Sequence, residues 1–333
     1  MWFSKFIVFI SMTVVVCSSL ISAKDCKSNV VSHTIFVDQS GTSNFTTIQA
    51  AIDSVPSKNS RWIRIFVQAG FYREQVTIEK DKSCILLEGV SRGSTYIQYD
   101  AHHATNTSAT FHLMADNFVA KNISFENIYN LGPNHPTHTP AVAALIRGDK
   151  ASFHSCSFKS LQDTLWDERG RHYFSSCFIQ GAIDFIFGGG QSLYEQCVIT
   201  VTARDANLPN GSSGYITAQR RYSPNDPNGF VFKSATVVGN GRAYLGRAWG
   251  PYSRVIFARS SLSKVVDPIG WDAWYFVGHE RNLTYVEADC TGKGSNTSKR
   301  VKWEKKMNSS QLRQFINLSF IDQPEGWVEK QPL

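Results

Sequence analysis

The chain has 333 residues, of which 42% are hydrophobic and 18% charged, enough apolar content for a sizeable core and too much for a disordered chain. Collagen-like and coiled-coil repeats are excluded by the 22 Phe and the modest charged content. Lys and Arg number 34 against 27 Asp and Glu, and the net charge of +7 points to polyanionic partners.

Residues 1–23 read as a secretory signal, with Lys5 in a basic leader, an apolar stretch from Phe6 to Val16, and small residues up to Ala23. That stretch is too short to span a bilayer, and no later segment approaches the required ~20 apolar residues, so no membrane association is expected. Sequons of the form N-x-S/T at Asn44, Asn106, Asn122, Asn210, Asn282, Asn296, Asn308 and Asn317 agree with export and glycosylation. Asn122 lies in an apolar-periodic run, Phe118–Phe125, where burial would block a glycan. Once Cys17 leaves with the signal, Cys26, Cys84, Cys156, Cys177, Cys197 and Cys290 remain, an even set that permits disulfides in any of fifteen pairings. The longest basic run, Lys299-Arg300-Val301-Lys302 with Lys305-Lys306, lacks interleaved aromatics. Nucleic acid is therefore not an expected partner, whereas an acidic polysaccharide suits the charge.

The first predicted element is a helix over Thr46–Val55, opened by a capping-box pattern and suited to covering the end of a stack. Strands follow at Trp62–Val67, Gln75–Ile78 and Ile85–Leu87, punctuated by Gly70, Gly89 and Gly93. A repeat then appears: Phe153-His-Ser-Cys156-Ser-Phe158, Phe174-Ser-Ser-Cys177-Phe-Ile179 and Tyr194-Glu-Gln-Cys197-Val-Ile199, at steps of 21 and 20 residues. Phe232-Lys-Ser-Ala235-Thr-Val237 repeats it with Ala for Cys, and Val119–Ser124 is a looser copy. β-rich runs recurring at about twenty residues mark a stacked-coil solenoid. The cysteines then read as interior ladder residues, although adjacent rungs could be bridged. A second short helix is expected around Ser310–Ile316. The predicted fold is all-β, a single-stranded parallel β-helix with short capping helices, forming one domain over 24–333.

Asp163, in Leu161-Gln162-Asp163-Thr164-Leu165, and Asp184, in Ile183-Asp184-Phe185-Ile186-Phe187, stand 21 residues apart, the coil step itself. That step sets them on adjacent rungs of one face, roughly 5 Å apart in backbone. Neighbouring carboxyls cannot ionise equally, so one keeps a proton while the other is charged, as acid/base and nucleophilic chemistry requires. The plainer reading of either Asp alone is a turn or capping residue. In Tyr244-Leu245-Gly246-Arg247-Ala248-Trp249, Arg247 can pair bidentately with a carboxylate and Trp249 offers a flat face to a sugar. Trp271 and Trp274 either extend that platform or fill the junction between loops and coil. His102, His103, His135 and His138 accompany no G-x-S-x-G elbow, no metal-ligand spacing occurs, and Gly188-Gly189-Gly190 lacks the Lys-Ser/Thr of a phosphate loop.

Taken together, Gly70-Phe-Tyr72-Arg-Glu74, Phe118–Asn127, Gln162-Asp163-Thr164-Leu165, Asp184–Gly188, Leu245–Trp249 and Gly270-Trp271 resemble the plant pectin methylesterases, a similarity running from about His33 to Val328. The resemblance implies a right-handed parallel β-helix, hydrolysis of methyl esters of cell-wall homogalacturonan outside the cell, and no metal or organic cofactor. It implies Asp184 as nucleophile, Asp163 as general acid and then base, and Gln162 as oxyanion donor. Arg247 would orient Asp184, with Trp249 and, less firmly, Thr105 contacting substrate. Methyl-esterified homogalacturonan is the implied polymer partner, proteinaceous pectinesterase inhibitors are a candidate partner class, and a monomer is expected. The inhibitor-like pro-region of many plant members is not expected, because about ten residues separate the signal from the first strand.

Two positions depart from the family pattern. Pro140 precedes Ala141-Val142-Ala143 where the family has a Gln that donates to the oxyanion, and Ala248 replaces the Pro of LGRPW. Proline has no side-chain donor, and losing one oxyanion donor typically costs about 10²–10³ in rate. Either Thr139, His138 or water substitutes, or the enzyme is slow. The competing reading is therefore a pectin-binding homologue with weak or no turnover. A β-helical polygalacturonase or pectate lyase ranks last, since the further Asp and His motifs of the one and the calcium-binding acidic cluster of the other are missing.

Overall fold

The computed structural model describes residues 25–132, 139–206, 208 and 212–333. The signal segment, His135, His138 and the Asn210 sequon lie outside the described residues. Among the described residues three parallel sheets run the length of the molecule, with ten, eight and eight strands. Each neighbour in a sheet is the next coil of the chain, as in a right-handed parallel β-helix.

One coil illustrates the rest. Ala151–His154 lies in the ten-stranded sheet, Ser157–Lys159 in the second and Leu165–Asp167 in the third, and Arg171–Ser175 begins the next coil beside Ala151–His154. The corner between the first two sheets is a single residue in left-handed conformation. Asn122, Ser155, Ser176, Gln196, Ser234, Arg259 and Asp289 occupy it on successive coils, with φ between 52° and 59°. A non-glycine residue there is strained, so the stacking on either side must hold it. Asn122, at this corner, is half-buried rather than enclosed.

Inside the coil the repeat does what its spacing predicts. Phe153, Phe174, Tyr194, Phe232 and Phe257 stack face to face at centroid distances of 5.0, 4.5, 4.6 and 4.4 Å. Cys156, Cys177 and Cys197 are buried free thiols, not bridged rungs. Cys177 and Cys197 donate to the carbonyls of Phe153 and Phe174 on the coil below, at 3.3 and 3.4 Å. Burial pushes the Cys156 and Cys177 thiols far up, which makes them unreactive. The disulfide instead joins Cys26 to Cys84 and ties the N-terminal segment to the coil.

Helix α1 (Ile48–Ser54) buries Ile48, Ala51 and Ile52 over the first coils. Thr47 caps it by accepting from the Ala50 amide, but the expected capping box does not form: Glu74 accepts from the amides of Ile48 and Gln49 at 2.9 and 3.0 Å, while the Gln49 side chain turns to Asp53 and Thr77. At the other end α2 (Ser309–Ile316) is opened by a full capping box between Asn308 and Gln311, and α3 (Ser319–Asp322) follows. These helices with Trp327 and Val328 cover Leu193, Val231, Ile256, Ala258 and Val286 on the outer face of the ten-stranded sheet. The segment then runs back across earlier coils: Glu325 pairs with Arg171 at 2.6 Å, and Gln331 donates to the Lys150 carbonyl at 2.8 Å. Lys150, 1% exposed, also meets Asp25 of the N-terminal segment at 2.6 Å.

Candidate active site

The third sheet carries the site on its outer face. Its register aligns Leu145, Trp166, Phe187, Ala218, Arg247 and Asp272 in one column across successive coils. Strand alternation turns this column away from the core, and Leu145, Phe187 and Ala218 with Trp166 and Trp249 form a separate apolar cluster there. Phe187 stacks on Trp166 at 5.1 Å and meets Trp249 at 5.9 Å. The result is an aromatic floor beside the two carboxyls.

Asp163 and Asp184 sit where the second sheet turns into the third. Gln162 bridges Ile183, so the two Asp occupy equivalent places on adjacent coils, as their 21-residue step predicts. Both are left-handed, with φ of 58° and 47°. The turn reading and the functional reading therefore hold together, since Asp tolerates this conformation better than most residues.

Their surroundings differ. Asp184, 8% exposed, is gripped by Arg247: Nε donates to Oδ1 at 2.8 Å and a terminal nitrogen to Oδ2. Arg247 is itself held between the rings of Trp274, 3.7 Å from its guanidinium carbon, and Tyr215 at 4.1 Å. Asp272 fixes those rings, accepting from the Tyr215 hydroxyl at 3.1 Å and the Trp274 amide at 2.8 Å. The carboxyl of the half-buried Asp163 has no hydrogen-bond or ion-pair partner among the described residues. Burial, reinforced by the charge of Asp184 and opposed by Arg247, holds its carboxyl well above the usual range. Burial also raises Asp184, but its hydrogen bonds from Arg247 pull the other way. The neighbour without a cation thus keeps its proton.

Gln162 is half-buried beside them, and its Oε1 is buried without a partner among the described residues. Its amide is not committed to holding the fold. Pro140 lies one coil earlier, where the following Ala141 amide donates to the Gln162 carbonyl at 3.1 Å. Ala248 is fully buried in the main core. Thr105 sits half-exposed in a turn ahead of the strand Phe111–Leu113, two coils before Asp163. Trp271 is a core residue, 1% exposed and stacked on Tyr285 at 4.5 Å, so it does not extend the platform. Trp274 belongs to the site, as a clamp on Arg247. Sequence reasoning missed Tyr215 and Asp272, which no local motif marks, and Trp166, whose outward position could have been read from its place three residues after Asp163. Among the described residues no group of His, Cys, Asp and Glu is arranged to hold a metal ion.

Comparison with known proteins agrees with this geometry. The pectinesterase family model matches residues 34–324. Probable pectinesterase 55 of Arabidopsis thaliana is 52% identical, over 90% of this chain and 91% of that protein. Probable pectinesterase 29 of the same plant is 50% identical over 98% of each. Among solved structures, the pectin methylesterase from carrot superposes with a TM-score of 0.81 at 29% identity, covering 91% of this chain and 98% of that one. A β-helix with two neighbouring buried carboxyls, one of them paired with arginine, and this extent of similarity together place the chain in the pectinesterase family of carboxylic ester hydrolases.

Proposed function

We propose that the protein hydrolyses the methyl esters of homogalacturonan in the plant cell wall, releasing methanol and leaving galacturonate. The carrying observation is the asymmetry between Asp184, held bidentately by Arg247, and Asp163, whose carboxyl has no partner and a raised pKa. Asp184 attacks the C6 carbonyl, and Gln162 donates to the oxyanion that forms. Collapse of the tetrahedral species expels methanol, which takes its proton from Asp163, and leaves an anhydride on Asp184. Asp163, now a carboxylate, draws a proton from water, which attacks the anhydride and frees the acid. Arg247 keeps the nucleophile oriented, and Trp249 with Phe187 supports the sugar. Export through the leader at 1–23 and action in the wall belong to the same reading, with sequons as glycan acceptors.

The second reading, a pectin-binding homologue with little turnover, rests on Pro140. The deciding experiment is methanol release from highly methylated pectin by the secreted protein, with the Asp163→Asn/Asp184→Asn variant as blank. Release above the blank is expected. No release from folded protein that still binds pectin would establish the second reading.

A further inference from the structure

Beyond the strand ends of the third sheet a further column runs across the coils. Ile146 pairs with Asp167 and Gly188 with Gln219, so the next residues, Arg147, Glu168, Gly189 and Arg220, stand on four successive coils. Trp249, which follows the strand Ala243–Ala248 and donates its amide to the Gln219 carbonyl, completes the row. The row borders the aromatic floor. Arg147 lies over Trp166 at 5.8 Å, and Arg220 over Trp249 at 4.7 Å. Between the arginines is one carboxylate: Glu168 pairs with Arg147 Nε and meets Arg220 at 3.8 Å.

Two features distinguish these arginines from Arg171 and Arg300, the saturated ones. First, the charge does not close, because two guanidiniums share one carboxylate. Second, most of their donors are unused. Arg171 is engaged by Asp149 and Glu325, Arg300 by Glu287 and three carbonyls, and Arg247 commits two donors to Asp184. Among the described residues the Arg147 side chain makes only its Nε bond to Glu168, and the Arg220 side chain makes no hydrogen bond. Their side chains are 24% and 25% exposed, with the guanidiniums over indole rings. A guanidinium carries five N–H donors in a planar fork matched to carboxylate, so unspent forks beside a sugar-sized flat surface suit a carboxylated sugar.

We infer that Arg147 and Arg220, spaced by Glu168 and Gly189, form a subsite for the free carboxylate of a galacturonate lying next to the ester under attack. The inference rests on the esterase reading and deepens it: each turnover creates such a carboxylate on the polymer, so the product of one event becomes a preferred neighbour for the next. Glu168 limits affinity by competing for the same donors, which lets a charged product leave.

Two measurements test this. Unesterified trigalacturonate is titrated calorimetrically into wild-type protein, Arg147→Gln/Arg220→Gln and Glu168→Gln, and methanol release is compared on half-methylated and fully methylated pectin. Losing charge-assisted bonds should weaken trigalacturonate about tenfold or more in the double variant. The ratio of kcat/KM for half-methylated over fully methylated pectin should fall with it. Glu168→Gln should bind trigalacturonate more tightly than wild type, a gain that misfolding cannot produce, and raised salt should narrow the differences. Equal binding by all three proteins, or an unchanged substrate ratio, overturns the subsite. Binding that follows the arginines in a protein releasing no methanol would instead sink the esterase reading and leave the carboxylate site standing.

Discussion

Asp163 and Asp167 lie four residues apart on one coil, yet they have opposite surroundings. Asp167 faces the interior, fully buried, and accepts from His172 Nδ1 at 2.5 Å and from the Tyr194 hydroxyl at 2.6 Å. The Nε2 of the same imidazole lies 2.8 Å from the Gly148 carbonyl. A carbonyl can only accept, so His172 donates to Gly148 through Nε2, while its Nδ1 faces the Asp167 carboxyl. Its pKa is raised because Asp167 and Gly148 outweigh the cost of burial. Even the glycines after Asp184 serve this group: a Cβ on Gly190 would come within 2.0 Å of Asp167 Oδ1. Asp163, by contrast, is left without a partner. A buried carboxylate whose oxygens are all engaged is structure, and one held short of partners beside a charged neighbour is available for chemistry.

That contrast can be broken from either side. Asp184→Asn should lower methanol release on the order of 10⁴–10⁶-fold, the range seen when a nucleophile or its coupled partner is removed, while circular dichroism remains that of folded protein. Near-normal release would take Asp184 out of the mechanism. Asp167→Asn should do the reverse, costing about 3–5 kcal/mol in urea unfolding because it breaks the buried pairing with His172 and Tyr194, with methanol release per folded molecule little changed. A variant as stable as wild type would dissolve the distinction. Pro140→Gln, which restores a side-chain donor, should raise turnover by up to about 10²-fold, and an unchanged rate in folded protein would show that the donor is not missed.

The smallest effect expected is on pH dependence. His172 is raised in the folded state, so its stabilisation is fully present below the unfolded value of about 6.5 and is lost as pH rises through the folded pKa. The difference in melting temperature between wild type and His172→Gln should therefore shrink as pH rises above that value. Asp163 bears on rate: under the proposed mechanism its proton goes to the departing methanol, so the alkaline limb of kcat/KM should follow its raised pKa. A limb at the position of an ordinary carboxyl would contradict the acid role.

Much of this was legible in the sequence, for physical reasons. The Phe-x-x-Cys repeat revealed the coil because identical side chains stack on themselves. The same period carried Asp163 onto Asp184 without any knowledge of the turn. The left-handed corner was not legible, because Ser155, Ser176, Gln196 and Arg259 are not residues that mark it; stacking, not propensity, holds them there. Arg247 could be chosen by its chemistry but not by spacing, since long loops intervene between its coil and that of Asp184. Trp271 and Trp274, three residues apart, differ only in which way the backbone turns, with Trp274 left-handed at φ 48°. Spacing likewise could not tell a ladder of thiols from bridged rungs.

A solenoid held only by neighbouring coils would be free to unzip from its ends, one rung at a time. Here the C-terminal segment, after covering Val286, Ile256, Val231 and Leu193, reaches back to Arg171, Ser152 and Lys150, and Lys150 is also gripped by Asp25. This strap couples distant rungs, so fraying the last coil releases contacts on coils in the middle of the stack, where Asp163 stands. Melting is then a concerted event, and the coils that carry the candidate site share the fate of the whole.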